Sequence, residues 1–274
     1  AVRDQPTVPT AQPSNHDDAR RRAPVSDAGE NRRSDGGDAE RGTWPAARET
    51  LRAMDPEFVD RYEAIASRAM SDSPLDEKTV ELVALASHAA CTTVHEPEMR
   101  RYVGRALDAG ASVEEVLGTL EMVSAIGVHA VTEGVPVLAD EAGLPTDVDD
   151  ETRAKREELQ SRFEDQRGYW DELWDQVVQI DHDYFEAYLD FSSHPTEVGH
   201  IDPLLRELVI IAADASANHL YLPGLRIHVR NALDFGATRE EVMSAIEIAS
   251  CIGVNTVNEG LPILVEEARE RGLL

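Results

Sequence analysis

The sequence predicts an all-α protein in which two tandem helical bundle repeats follow a disordered N-terminal tail. Three observations lead to this fold class: the chain resembles itself at an offset of 126 residues, its apolar runs begin at helix-capping residues, and no strand-like alternation stands out. At that offset Trp44 aligns with Trp170 and Tyr62 aligns with Tyr188, without a gap. A repeat of this length indicates duplication of a whole domain rather than a short solenoid period.

Both repeats contain the same signals for the starts and ends of helices. Asp76 and Asp202 precede apolar runs and are predicted to cap the first turn of a helix. Gly110 and Gly236 are predicted to end the next helix in the left-handed position that favours glycine. The helices that follow begin with capping boxes, in which a Ser or Thr precedes a Glu by three residues: Ser112 with Glu115, and Thr238 with Glu241.

Composition divides the chain into four parts. Residues 1–42 contain almost no large apolar side chain, so they cannot bury enough surface to offset the entropy lost on ordering, and we expect a disordered tail. Residues 43–140 and 169–274 are the predicted repeats. The highly charged residues 141–168 between them are predicted to be a partly helical connector.

The charge of the chain makes several function classes improbable. Its 274 residues include 53 Asp and Glu against 26 Lys and Arg, a net charge of −27. Such a chain repels phosphate backbones and anionic membranes, so we expect no nucleic-acid or membrane partner. The only lysines are Lys78 and Lys155. This pattern indicates a haloarchaeal-type acidic protein from a high-salt cytoplasm, where a Debye length of ~3 Å screens the repulsion. An acidic mesophilic protein is the alternative.

The sequence predicts a cytoplasmic location. No run approaches the ~18 apolar residues of a membrane-spanning helix, and the N-terminal residues contain no apolar segment typical of a secretory signal. The two cysteines, Cys91 and Cys251, cannot make a disulfide framework.

A spaced motif distinguishes the second repeat. Arg206-Glu207-Leu208 opens an apolar run, and a His-x-x-x-Ala-Leu-x-x-Gly segment from His228 to Gly236 follows, then Glu240-Glu241. The pattern resembles the carboxymuconolactone decarboxylase family, which also includes alkylhydroperoxidase D (AhpD). The first repeat matches it too, except that Tyr102 stands where the second repeat has His228. One repeat has then kept the reaction centre, or the site is composite and draws on both repeats.

The resemblance implies an AhpD-like helical fold and an enzyme that removes CO₂ from a small carboxylated lactone or a related oxo-acid. In this interpretation His228 donates or accepts a proton, for which its ordinary pKa of ~6.5 is suited. Glu207 orients the imidazole, and Arg206 or Arg226 binds the acidic groups of a small anionic substrate. No organic or metal cofactor is implied.

The same residues have structural interpretations. His228 could be an ordinary histidine on an amphipathic helix. Glu207 and Glu81 open apolar runs, where a carboxylate should be paired or have a raised pKa. A buried ion pair that fixes helix register would satisfy them, and Tyr102 could be a filler or a catalytic group. The candidate partners are three arginines: Arg206, Arg100 and Arg226.

Two further functions stay open. The first is thiol-dependent peroxide reduction at Cys91, assisted by His95, since a nearby base favours the thiolate. Against it, neither repeat contains the dithiol of the AhpD redox centre, Cys-x-x-Cys-x-x-x-His, and a lone Cys is more often a small buried residue. The second is a non-catalytic helical scaffold. A metal site is not expected, because the histidines and carboxylates do not follow a zinc spacing: Glu81, His88, His95, His129 and Glu133.

The duplication also predicts an assembly. Single-repeat relatives of this family form trimers and hexamers of one helical unit, so a chain with two units is expected to form a homotrimer with six pseudo-equivalent repeats. The apolar, small-residue helix from Val116 to Val128 is the predicted interface.

Overall fold

The computed structural model describes residues 47–274, which contain thirteen α-helices and no strand. The predicted all-α class is confirmed. The predicted tail, and Trp44, lie outside the described residues. The first six helices are α1 (Ala47–Met54), α2 (Pro56–Met70), α3 (Glu77–Ala89), α4 (Glu96–Asp108), α5 (Val113–Ser124) and α6 (His129–Ala142). The remaining seven are α7 (Asp150–Arg167), α8 (Asp175–Ile180), α9 (His182–Glu197), α10 (Pro203–Ala215), α11 (Leu222–Asp234), α12 (Arg239–Ser250) and α13 (Asn255–Glu270).

The predicted helix ends are confirmed. The side chains of Asp76 and Asp202 accept hydrogen bonds from first-turn amides of α3 and α10. Gly110 and Gly236 follow α4 and α11 with φ angles of 91° and 93°, which glycine adopts without the steric cost of a Cβ. Both predicted capping boxes are formed at the starts of α5 and α12.

Two central helices build the main core. Every residue from Val80 to His88 in α3, and from Leu205 to Asp214 in α10, is buried. The two helices pack against each other, and the apolar cluster around them takes side chains from both repeats. A helix that is apolar on all sides needs cover on all sides. The repeats therefore share one core instead of forming two separate bundles linked by the connector.

The predicted connector becomes part of the packed structure. Its helix α7 contributes Leu159 and Phe163 to a second apolar cluster with Trp174 of the following turn, and with Phe185 and Leu189 of α9. The ring centroids of Phe163, Trp174 and Phe185 lie 5.4–6.0 Å apart, in the range typical of aromatic pairs. This cluster fixes the C-terminal end of α7 beside α6 and α9.

The long apolar helices occupy equivalent places in the two repeats. In each, a 3₁₀ turn joins two α-helices into a continuous run, Val113–Ala142 and Arg239–Glu270. Contrary to the expectation from the sequence, both runs are long and apolar enough to cross a membrane by length and composition, and less than half of the apolar window in each is buried. Their exposed apolar residues include two pairs related by the repeat: Val137-Leu138 and Ile263-Leu264.

Candidate active site

A buried carboxylate contacts a histidine in the second repeat. Glu207, on α10, is only 1% exposed, and its Oε2 lies 2.7 Å from Nδ1 of His228 on α11. Asn231, one turn after His228, donates to the same oxygen at 3.3 Å. The carboxylate therefore fixes one ring nitrogen of His228, and the imidazole is held in a defined orientation.

An arginine compensates the charge of Glu207. The Nε of Arg206 donates to Glu207 Oε1 at 2.7 Å, and Arg206 is itself 3% exposed. Burial alone would raise the pKa of Glu207, but the charges and hydrogen bonds of His228 and Arg206 outweigh it and lower the pKa to about 2. Glu207 is thus a permanent anion, suited to stabilising a protonated His228.

A pocket opens beside this pair. The walls of the pocket are mostly apolar and aromatic. Both repeats and the segment between them supply the walls, which lie within residues 122–132, 163–174, 188–192 and 210–228. His228 lines the pocket and Glu207 lies behind it. The site is composite, one of the two arrangements that the asymmetry of the motif left open.

An arginine that is held by serine hydroxyls, and not by a carboxylate among residues 47–274, also lines the pocket. Arg167, the last residue of α7, donates to the hydroxyls of Ser192 and Ser193 at 2.9 and 3.3 Å. Its Nε has no hydrogen-bond partner, and its guanidinium forms no ion pair with any carboxylate among residues 47–274. Burial, and then the charge of Arg206, lower the pKa of Arg167. A cation in this state is suited to binding an anion that enters the pocket.

The equivalent place in the first repeat holds a different pair. Glu81 of α3 is 2% exposed and accepts two hydrogen bonds from Arg105 of α4, at 2.8 and 2.9 Å. Tyr102, the counterpart of His228, is completely buried, stacks on His88 with ring centroids 5.2 Å apart, and its hydroxyl has no hydrogen-bond partner. The candidate partner Arg100 pairs instead with Glu96 on the surface.

A second residue difference between the repeats explains why there is a pocket beside Glu207 while the equivalent position of the first repeat is filled. Gly224 in α11 lines the pocket, whereas its counterpart in the first repeat is Glu98, whose side chain is completely buried. A Cβ at Gly224 would lie 2.6 Å from Asp214 Oδ2 and 2.7 Å from Tyr221 Cδ1. The absence of a side chain at residue 224 therefore allows α11 to approach α10 and leaves space in the pocket.

Replacing Gly224 with alanine is expected to destabilise the protein by about 1–3 kcal/mol, the usual cost of overpacking, because Asp214 and Tyr221 are both buried and have little room to move. Urea unfolding measures the effect. The matched control is Gly104→Ala in helix α4, where an added Cβ meets nothing within 4 Å and helix propensity favours alanine by about 1 kcal/mol. Equal effects of the two substitutions would contradict the close packing at Gly224.

The other residues predicted for the site lie elsewhere. Arg226 is exposed and is not among the residues lining the pocket. Cys91 is exposed rather than buried, and Cys251 is buried, which raises its pKa to about 11. His95 Nε2 lies 2.9 Å from Glu259, on the side of the filled place. The roles predicted for Arg226, Cys91 and His95 stay predictions.

A group of potential metal ligands adjoins the pocket and was not predicted. His129 begins α6, Asp214 lies near the end of α10, and His219 follows in the next loop. Burial raises the pKa of Asp214 to about 7, an effect that the charge of His228 reduces. Burial, and then the charges of His219 and His228, lower the pKa of His129 to about 3. The histidines and carboxylates considered as metal ligands from the sequence do not come together. Glu81 pairs with Arg105, and of that set only His129 belongs to the group with Asp214 and His219.

These features define a class of protein: an all-α tandem repeat with an acid–base pair at a pocket that both repeats share. The model of the carboxymuconolactone decarboxylase family matches residues 56–140 and 182–266, more than half of the chain. The chain therefore belongs to the carboxymuconolactone decarboxylase family, as its motif predicted.

A solved structure agrees with this assignment. The chain is 40% identical to a Burkholderia xenovorans protein that carries the name gamma-carboxymuconolactone decarboxylase subunit, whose crystal structure superposes with a TM-score of 0.77. The similarity covers 85% of this chain and 94% of the other. No match was found among curated proteins.

Proposed function

We propose that the protein removes CO₂ from a small carboxylated lactone or a related oxo-acid bound in the pocket between the repeats. The observation that carries the proposal is the hydrogen bond between His228 and the buried Glu207 at the pocket wall. The apolar lining favours a reaction in which a charged carboxylate becomes neutral CO₂, since a poorly hydrated carboxylate is more easily lost. Family membership and the named structural relative support the same chemistry.

The proposed reaction consumes one proton for each CO₂ released. The bond between the carboxylate and its neighbouring carbon breaks, and the electron pair moves into the conjugated system next to the lactone carbonyl. The imidazolium of His228 then donates a proton to carbon. Glu207 stabilises the imidazolium through the 2.7 Å contact to Nδ1, which leaves Nε2 as the donor.

Arg167 is the arginine best placed to bind the substrate. Of the two arginines proposed from the sequence, Arg206 is occupied by Glu207 and Arg226 is exposed outside the pocket lining. Arg167 lines the pocket, is held by two serine hydroxyls and has no carboxylate partner among residues 47–274. We therefore assign to Arg167 the recognition of a substrate acidic group that is retained in the product.

Replacing Arg167 with glutamine is expected to raise KM and lower kcat/KM by about 10- to 150-fold, the equivalent of the 1.5–3 kcal/mol of a charge-assisted hydrogen bond. The control is Arg162→Gln, on the same helix, where the arginine pairs with Glu186 and Asp190 on the surface. Steady-state kinetics of both variants measure the effect. Unchanged kinetics in Arg167→Gln would contradict the assigned role.

The activity itself is tested by screening carboxylated lactones and oxo-acids for release of CO₂, at high and low salt. Saturable CO₂ release that is lost in His228→Gln supports the proposal. The absence of CO₂ release, together with thiol-dependent peroxide consumption that Cys91→Ser abolishes, would replace it with the peroxide-reducing alternative.

We also propose the homotrimer. Most of the interface predicted from the sequence, Val116 to Val128, is buried within the single chain. Equivalent apolar pairs, Val137-Leu138 on α6 and Ile263-Leu264 on α13, are exposed instead, and a trimer with pseudo-sixfold symmetry would contain six such pairs to cover. Light scattering at high and low salt tests the assembly, and a monomer at high salt would contradict it. The high-salt origin and cytoplasmic location stay predictions.

A further inference from the structure

A cluster of three side chains brings two imidazoles and a carboxylate to one point at the edge of the pocket. His129 Nδ1 and His219 Nε2 lie 2.8 Å apart. Asp214 Oδ1 lies 3.9 Å from the first nitrogen and 3.8 Å from the second. Among residues 47–274, this is the only group of three or more such side chains whose potential ligand atoms converge in this way.

The carboxylate of Asp214 points to a missing partner. Its side chain is completely buried, and neither oxygen has a hydrogen-bond partner. A buried carboxyl group whose oxygens make no hydrogen bond is costly, so such a group requires an explanation. Glu98 in the first repeat is also buried, but it has the guanidinium of Arg101 at 3.6 Å. The two imidazole nitrogens lie 3.8 and 3.9 Å from Asp214 Oδ1, too far for a hydrogen bond.

We propose that His129, Asp214 and His219 bind a divalent first-row transition-metal cation, with Zn²⁺ and Fe²⁺ as the best chemical matches. Two imidazoles and one carboxylate are a common ligand set for catalytic zinc and for non-haem iron. Metal–nitrogen bonds of 2.0–2.1 Å in a tetrahedron put ligand atoms ~3.3–3.4 Å apart. The separations here, 2.8 to 3.9 Å, bracket that value.

Neighbouring residues hold the ligands in place. The His129 ring stacks on Tyr221 with centroids 3.7 Å apart, and the hydroxyl of Tyr221 lies 2.7 Å from that of Thr132. The stacked Tyr221 ring restricts the orientation of the His129 ring. His129 also lines the pocket, and three protein ligands leave at least one coordination position free. A bound cation therefore has a position for water or a substrate oxygen beside the pocket.

Metal binding by the full-length protein tests the proposal without any substrate. A negative result would therefore not contradict the proposed decarboxylation, and a failure to detect decarboxylation would not contradict the metal site. Chelator-treated protein is titrated with Co²⁺, whose visible absorption reports coordination, and then with Zn²⁺ as a competitor. We expect one Co²⁺ per chain, displaced by Zn²⁺. His219→Ala and Asp214→Asn should each weaken binding by at least about tenfold, while His95→Ala, in the equivalent loop of the first repeat, should leave it unchanged.

The result that overturns the proposal is the absence of saturable Co²⁺ or Zn²⁺ binding, or equal affinity in all four proteins. His219 lies at the margin of the cluster, 12% exposed, so His219→Ala is expected to fold even where Asp214→Asn does not. Circular dichroism of each variant checks this. Loss of binding in His95→Ala alone would place the cation on the first repeat and also overturn the assignment.

Discussion

Replacing His228 with glutamine is expected to lower kcat/KM for CO₂ release by about 10²–10⁴, the range that a positioned acid–base group contributes. Glutamine retains a polar group that can donate to Glu207, so the buried carboxylate keeps a partner. It cannot carry a proton to carbon, because its amide does not titrate near neutrality. The loss should therefore appear in kcat, with a smaller change in KM.

Tyr102→Phe is the matched control for this prediction. Tyr102 is the counterpart of His228 in the first repeat, is completely buried, and its hydroxyl has no hydrogen-bond partner, so removing that hydroxyl should change neither turnover nor packing. Full turnover in His228→Gln would remove His228 from the reaction. An equal loss in Tyr102→Phe would show that both repeats are catalytic.

The differences between the repeats explain why only the second has a histidine beside its buried glutamate at the wall of the pocket. In the first repeat, Arg105 compensates Glu81 with two hydrogen bonds. In the second repeat the residue equivalent to Arg105 is Asn231, and Arg206 and His228 compensate the negative charge of Glu207 instead. The buried glutamate of the second repeat thus has a titratable histidine beside it as well as an arginine. Together with the difference between Glu98 and Gly224, this places a histidine at the wall of a pocket where the first repeat has a filled core position.

The helix ends and the tandem repeat could be predicted from the sequence alone. Caps and left-handed glycines depend on neighbours within four residues, so Asp202 and Gly236 were identified without tertiary information. The sequence also predicted that Glu207 and His228 act together, because the family motif contains both residues, and the structure places them in contact.

Contacts between distant elements could not be predicted in this way. Arg167 reaches the pocket only because the aromatic cluster docks α7, and Asp214 meets His129 only because the repeats share a core. The sequence suggested Arg100 as a partner for a buried glutamate, but Arg105, on the same helix, is the residue that faces Glu81. The alignment of the two repeats places Glu98 on Gly224 and Arg105 on Asn231, and these two differences distinguish the pocket wall from the filled position of the first repeat.

Replacing Arg105 with alanine is expected to destabilise the protein by about 3–5 kcal/mol, because it leaves the 2%-exposed carboxylate of Glu81 buried without its bidentate partner. Urea unfolding at fixed salt measures the change. Arg100→Ala, which removes a surface ion pair with Glu96 from the same helix, should cost under about 1 kcal/mol.

The double variant Glu81→Gln/Arg105→Ala separates a charge effect from simple loss of packing. It removes the unpaired charge, and it should recover most of the stability lost in Arg105→Ala, since a neutral amide is far less costly to bury than a carboxylate. Failure to recover would mean that the guanidinium contributes mainly through its packing, with its carbon at 6.0 Å from the Tyr102 ring centroid. The charge compensation inferred for the first repeat would then be wrong, and the comparison of the two buried glutamates would lose its physical basis.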